Sequence, residues 1–400
     1  MEGRLALTAR YSPLTTCHSQ RFIVDTITHG IAGALVAKAF FTEREGRMAT
    51  LAVTVGSVFP DSDTLVNLFY RDRMAFLEIH RGVTHSFVGL PVFALLLGTL
   101  ACLLTGQRKK WLFFSGLFGI GIGLHILMDL ITSYGTMIWS PLNNARISWD
   151  TTFIIDVTFT TIVLLPQLTA WVYSDHERAR RRGFAVWLCM SLAGIAVATL
   201  ASWAQVPVSG WTVATASVLI AAVLWLPSLG GRGWEWRRSA YCRVGVAAMA
   251  IYLGLCGIAH QVALGRVEEF AKLSGLTVER LAALPAPPSL FRWAGLVQSP
   301  KGIYRGSIDL AGSSQPAYSF FPNAEDNRYL QTAEASADAK TFLWFARFPW
   351  VTYQRLGSLH VVEIRDVQFF LPSRGDNPTI TFQVSLDAQG HILSSHLLRP

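Results

Sequence analysis

Apolar residues gather into long blocks over the first two thirds of the chain and then give way to short alternating runs. A helix that crosses a bilayer needs roughly 20 mostly apolar residues. Five blocks meet that length, at 86–104, 111–131, 153–173, 184–206 and 243–264, and 211–229 makes a slightly shorter sixth. Two earlier blocks, 27–41 and 48–59, fall short of a full span and are predicted to form short, tilted or re-entrant helices buried in the protein. After about Arg266 the apolar period becomes two, in 302–310, 360–370 and 379–386, with a hairpin turn at Asp387-Ala388-Gln389-Gly390 before a last run at 391–395. The predicted architecture is therefore mostly α, a polytopic transmembrane helical domain followed by a small C-terminal β-rich extramembrane domain. The boundaries read as an N-terminal extension at 1–24, a membrane domain at 25–265 and an extramembrane domain at 266–400, with prolines at 285, 287 and 288 near the joint.

Composition supports this division. With 51% hydrophobic and 15% charged residues and a mean hydropathy of +0.36, the chain is too apolar for an ordinary soluble domain. The five cysteines show no Cys-x-x-Cys spacing, which argues against a disulfide scaffold or a zinc ribbon. Residues 1–21 lack the apolar centre of a signal peptide, so insertion is expected to rely on internal segments. The net charge of +8 sits mainly in loops between apolar blocks, which makes it a topology signal and not a nucleic-acid surface. Alternate connections carry Arg44 and Arg47, then 108–110, then Arg178 with 180–182, then Arg232, Arg237, Arg238 and Arg243. The opposite connections carry only Arg71, Arg73, Arg81 and Arg146. The basic loops are accordingly placed in the cytoplasm, and the C-terminal domain outside it. Arg4, Arg10 and Arg21 run against this orientation, a conflict that shrinks if the two short blocks form a hairpin that does not fully cross.

Ionisable groups inside membrane segments cost on the order of 3 kcal/mol each on insertion scales, so they need a compensating role. His125 and Asp129 stand as His-x-x-x-Asp, a spacing that puts both on one helix face. Asp25 and His29 share that separation, although Asp25 reads more simply as a helix cap. Asp61 and Asp63 follow the second short block, His80 and His85 precede the first long one, and Asp150 and Asp156 flank the start of the third. Read separately, these are a structural pair, a loop, interfacial residues and caps. On the topology above, however, His29, Asp61, Asp63, His80, His85, Asp129 and Asp156 all fall at the outer ends of their segments, with His125 one turn deeper. Imidazole and carboxylate ligands without thiolates suit zinc, manganese or iron, and such an ion makes water a nucleophile near neutral pH. The remaining histidines, at 18, 176, 260, 360, 391 and 396, are expected to lie apart from this layer.

The runs Asp25 to Ala37, "FPDSD", "HRGVTHS", "HILMDLITSYGT" and "FIIDV" resemble the membrane-bound metal-dependent hydrolase family typified by YdjM. The resemblance covers 25–156, which makes that stretch the core of the expected metal site. It implies a divalent metal, zinc first with manganese or iron as alternatives, held by His29, Asp61, His85, His125 and Asp129, with Asp61 a candidate bridge between two ions. It also implies proton transfer or phosphate contact by Asp63 and His80. The order of ligands is more weakly similar to zinc-dependent phospholipase C and P1 nuclease, but the later His-x-x-x-Glu pair of those enzymes is missing.

The leading expectation is an integral protein of the cytoplasmic (inner) membrane that hydrolyses a phosphoester by a metal-activated water. Membrane lipids and a lipid-linked substrate are its expected partners, and nucleic acid is not. Two other classes compete. A transporter with an Asp/His proton relay would need polar groups along a full path. A non-catalytic scaffold would place the function in the outer β domain.

Overall fold

A computed structural model describes residues 17–68, 73–203, 208–229, 235–312, 316–370 and 380–398. Most of the expected N-terminal extension (1–16), with Arg4 and Arg10, lies outside these residues, as do Arg71, Val206 and Arg232. The chain opens with α1 (Cys17–Phe40), α2 (Thr42–Glu45), α3 (Arg47–Val58) and a 3₁₀ stretch Phe59–Leu68. It continues through α4 (Arg73–Ile79), a 3₁₀ turn Val83–His85, α5 (Gly89–Thr105), α6 (Trp111–Leu130), α7 (Val157–Val172), α8 (Ala179–Trp203), α9 (Gly210–Leu229) and α10 (Arg238–Leu273).

Among the described residues three helices are long and apolar enough to cross a membrane: Arg108–Leu130, which is α6 with the turn before it, α8 and α10. Met74–His85 with Gly89–Thr105 adds a fourth only as a pair bent by 69°. The apolar pattern predicted five full spans, and local polar chemistry accounts for the difference. The block at 86–104 starts late because its first residues leave the 3₁₀ turn Val83–His85 in a tight bend, where Ser86 Oγ accepts from the Gly89 backbone N–H at 2.8 Å. The block at 153–173 starts at Val157, where the Asp156 carboxylate accepts from the N–H groups of Thr158 (2.9 Å) and Phe159 (3.1 Å).

Small residues set how closely the first helices pack. A Cβ on Gly121 of α6 would stand 2.3 Å from the Val53 carbonyl oxygen of α3, and one on Gly56 would stand 2.6 Å from the Phe118 carbonyl oxygen. Only glycine lets these backbones touch, the device that membrane helices use for close approach. Around this seam Ala37, Ala52, Val53, Phe114 and Leu117 form one buried cluster. Ala32 and Leu35 of α1 join Phe159, Val163 and Met249 in another.

The C-terminal part contains two antiparallel four-stranded sheets. The first is β1 (Arg280–Ala286), β2 (Arg292–Ser299), β3 (Gly302–Asp309) and β4 (Tyr318–Pro322) in sequential order. Two helices, α11 (Arg328–Ala335) and α12 (Ala337–Phe345), lead into β5 (Pro349–Leu356), β6 (Leu359–Asp366), β7 (Thr381–Leu386) and β8 (Ile392–Leu398), again sequential. The expected alternating runs are β3, β6, β7 and β8. Ala263, Val267 and Ala271 of α10 pack on Ala283, Trp293 and Ile308, so α10 runs out of the bundle and floors the first sheet. The second sheet packs with α11 and α12 over Met74 and Leu77 of α4.

The two parts are also joined by polar contacts. Arg347 makes two 2.7 Å bonds to the Asp150 carboxylate, and Glu78 accepts from Thr341 at 2.9 Å. The guanidinium of Arg146 lies over the rings of Tyr134 (4.9 Å) and Phe345 (4.7 Å). These contacts hold the loop between α6 and α7 against the C-terminal domain.

Candidate metal centre

Four short pieces of chain deliver the polar cluster to one place. α1 brings His29, α6 brings His125 and Asp129 one turn apart, the 3₁₀ stretch after α3 brings Asp61 and Asp63, and the turns after α4 bring His80, Arg81 and His85. The glycine seam matters directly here. With α3 pressed against α6, the Ser57 carbonyl accepts a 2.7 Å bond from His125 Nδ1. That donation leaves Nε2 with its lone pair free and aimed into the cluster, the orientation that metal-binding histidines use.

His85 Nε2 lies 3.5 Å from Asp61 Oδ1 and 3.3 Å from Asp129 Oδ2. His125 Nε2 lies 3.5 and 3.6 Å from the same two oxygens. Four ligands placed tetrahedrally about 2.0–2.1 Å from a zinc ion are separated by roughly 3.3–3.4 Å. The set therefore has the size of a coordination shell. On the other side of Asp129, His29 Nε2 stands 3.4 Å from Oδ1 and 3.3 Å from Asp25 Oδ1. The His29 and His125 rings stack with centroids 4.0 Å apart.

The donor set fits a divalent cation on two further observations. His29, His85, His125 and Asp129 are each buried to within 1% of completely. The Nε2 atoms of all three histidines and Asp129 Oδ2 lack a hydrogen-bond partner, while Asp129 Oδ1 is ion-paired with Arg81. A buried polar atom without a partner costs about 1–3 kcal/mol, and four such atoms gathered in one cluster are what a cation would satisfy. The two-sided carboxylate is that of Asp129. Asp61 turns only Oδ1 to the histidines, because its Oδ2 accepts from the Thr26 hydroxyl.

Asp63 and His80 stand one layer behind. Asp63 Oδ1 is 3.0 Å from His80 Nδ1, while Oδ2 accepts from the Arg81 N–H at 2.9 Å and lies 3.4 Å from His85 Nδ1. Asp63 thus steadies both histidines. Burial alone would raise its carboxyl, but His80 beside it and the Arg81 N–H hold it below the ordinary carboxylate range.

Two residues differ from their sequence reading. Asp25 is no helix cap: it lies inside α1, with Oδ2 accepting from Arg81 at 3.2 Å. Arg81, read as interfacial, is 2% exposed and wedged between carboxylates, with Nη2 at 2.9 Å from Asp129 Oδ1 and Nη1 donating to Thr132 at 3.1 Å. Its guanidinium also lies 4.8 Å from the Tyr134 ring centroid, and its φ of +60° is one that few non-glycine residues adopt. The only signal in the sequence is a cation set among so many carboxylates. Asp150 and Asp156 stay apart from the cluster. Asp150 is paired with Arg347, and Asp156 caps α7 while Oδ2 accepts from the Tyr252 hydroxyl at 2.6 Å.

Residues 24–206 match the family described as YdjM inner membrane protein. No curated protein and no solved structure matches the chain, so the weaker similarity to phospholipase C and P1 nuclease gains no support.

Proposed function

Taking residues 24–206 as a member of the YdjM inner membrane protein family, we propose that the chain is a metal-dependent hydrolase of the inner membrane that cleaves a phosphoester on a lipid or lipid-linked head group. The observation that carries this reading is the meeting of three unpartnered imidazole nitrogens with the carboxylates of Asp61 and Asp129 at coordination spacing.

His85, His125, Asp61 and Asp129 would hold one ion, and His29 with the second face of Asp129 would hold another. When bound, a divalent ion supplies a Lewis acid that polarises a phosphoryl oxygen and makes water nucleophilic near pH 7. Arg81 neutralises the excess carboxylate charge of Asp25 and Asp129. Asp63 fixes the rings of His80 and His85, so these residues act as positioning groups for ligation and proton movement. Asp61 is the most exposed of the ligand set, with 15% of its side chain accessible against 0–1% for the others, so it marks the rim from which substrate and water would reach the site. The C-terminal domain lies outside the cytoplasm and shields the site.

Metal analysis of detergent-purified protein tests the reading. Wild type should contain near-stoichiometric zinc or manganese and release phosphate from a phospholipid monoester, and His125→Ala should lose both. A folded wild type free of transition metal after purification without chelator would overturn it. A reporter fused after Pro400 that works only in the cytoplasm would overturn the placement of the domain.

A further inference from the structure

A cavity of about 470 Å³ runs along α1 where it meets α3 and α7, on a different face of α1 from His29. That volume falls in the roughly 300–1,000 Å³ range of small-molecule sites. Its walls are apolar through the middle, where Ile31 and Ala34 of α1 oppose Leu164 and Leu168 of α7. Gly30 lies on its α3 side, where a Cβ would meet Val58 Cγ2 at 3.1 Å and Thr54 Cγ2 at 3.9 Å, so glycine lets α1 approach α3 closely there. Three polar residues line it: Thr54 on the α3 side, and Lys38 and Gln167, which pair as Lys38 Nζ donates to Gln167 Oε1 at 2.9 Å while the Gln167 amide donates to the Ile31 carbonyl.

The length of the cavity identifies its occupant. From Ile27 to Lys38 the groove follows α1 for eleven residues, about 16 Å at 1.5 Å per residue. This is about half of a hydrocarbon core of roughly 30 Å, the depth of one leaflet. The open end lies beside the metal centre: Ile27 is 54% exposed, and its neighbour Thr26 donates to Asp61, the most accessible of the ligand-type residues. We infer that this groove seats one acyl chain of a membrane lipid, with the head group turned over Thr26 toward Asp61. The inference rests on the phosphoesterase reading for what happens to the head group, but not for the seating of the chain.

The test uses full-length protein in nanodiscs with a phosphatidic acid that carries a photoreactive diazirine on its acyl chain. The groove is narrowed from two sides by Gly30→Trp and, separately, by Thr54→Trp. In wild type, label should concentrate on Leu164, Leu168 and Trp171. Both variants should lose at least tenfold of it, with α8 labelled as before and metal content unchanged. A second readout is the preference for dioleoyl over dihexanoyl phosphatidic acid, which should collapse in both variants. Equal labelling of α7 in wild type and both variants, or label spread evenly over all lipid-facing helices, would overturn the inference. If label is groove-specific but no form hydrolyses either lipid, the phosphoesterase reading falls and the acyl seat stands. If hydrolysis occurs with groove-independent labelling and no loss of chain preference, the reverse holds.

Discussion

α6 and α8 are both apolar enough to cross a bilayer, but they are different kinds of helix. Half of the α6 span is buried in protein, against 6% of that of α8. The buried residues of α8 (Ala179, Gly183 and Val186) lie in its first turns, and the rest presents Leu192, Leu200 and Trp203 outward. α6 buries His125 and Asp129 against other segments, with His125 Nδ1 donating to the Ser57 carbonyl and the Arg81 guanidinium beside Asp129. Hydropathy registers only that both helices tolerate lipid. What separates them is that α6 carries ionisable side chains enclosed by other segments, whereas past the first turn of α8 the polar groups that find partners on another segment are the neutral Trp187 and Ser191, on Ser217 of α9, and only the packing reveals this.

The largest test of this contrast is to take a cation away from each region. Arg81→Met leaves Asp25 and Asp129 buried without their counter-charge, and breaking a buried pair costs about 3–5 kcal/mol. Thermal unfolding in detergent should show a drop of several degrees or no folded protein at all. Arg182→Met, in the first turn of α8, removes a more exposed ion pair with Asp175 and should change stability by less than about 1 kcal/mol. Equal effects would erase the distinction drawn here.

Next in size is a single methyl group. Gly121→Ala forces α3 off α6 and should cost about 1–3 kcal/mol, with weakened metal retention as His125 loses its bond to Ser57. Gly254→Ala on α10, where a Cβ meets nothing within 4 Å, should be neutral or slightly stabilising by the same melting assay. Smaller again, Arg347→Ala removes the two bonds to Asp150 and, because 27% of the arginine side chain is exposed, should cost about 0.5–1.5 kcal/mol. Limited proteolysis should then cut the loop between α6 and α7 sooner than in wild type.

The smallest effect lies in the C-terminal domain. Burial raises the Asp366 carboxyl, although the backbone N–H groups of Arg347, Phe348 and Gln368 pull the other way. The native state therefore holds this proton at pH values where the unfolded chain, near pKa 3.9, has released it. Stability from this group is present below that value and falls as pH rises toward the higher folded pKa. Asp366→Asn should flatten the decline in melting temperature across this weakly acidic window, and an unchanged slope would assign it to other groups.

The sequence reading succeeded where periodicity and spacing carry the information. The i,i+4 pair at 125 and 129 shares one face of α6, and the alternating runs expected at 302–310 and 379–386 contain β3 and β7. It failed where the deciding partner is remote. Asp25 looked like a cap because the Arg81 that engages it is 56 positions away, and Arg81 looked interfacial for the same reason. The division of labour between Asp61 and Asp129 turns on single oxygens, one of them already taken by Thr26. The helices α11 and α12 have too few turns to show an amphipathic period. The late starts of α5 and α7 depend on a 3₁₀ turn held by Ser86 and on the Asp156 carboxylate cap, which an apolar count ignores.

α10 also works as a measuring rod. Its stretch from Arg238 to Ile258 is about 31 Å long at 1.5 Å per residue, close to the roughly 30 Å of a hydrocarbon core. The remaining fifteen residues, from Ala259 to Leu273, add about 22 Å and carry the first sheet on their small side chains. Because one unbroken helix serves as both anchor and mast, the stand-off of the C-terminal domain is fixed by a residue count. An insertion of four residues near His260 would raise that domain by about 6 Å and turn it by roughly 40°, carrying Arg347 away from Asp150.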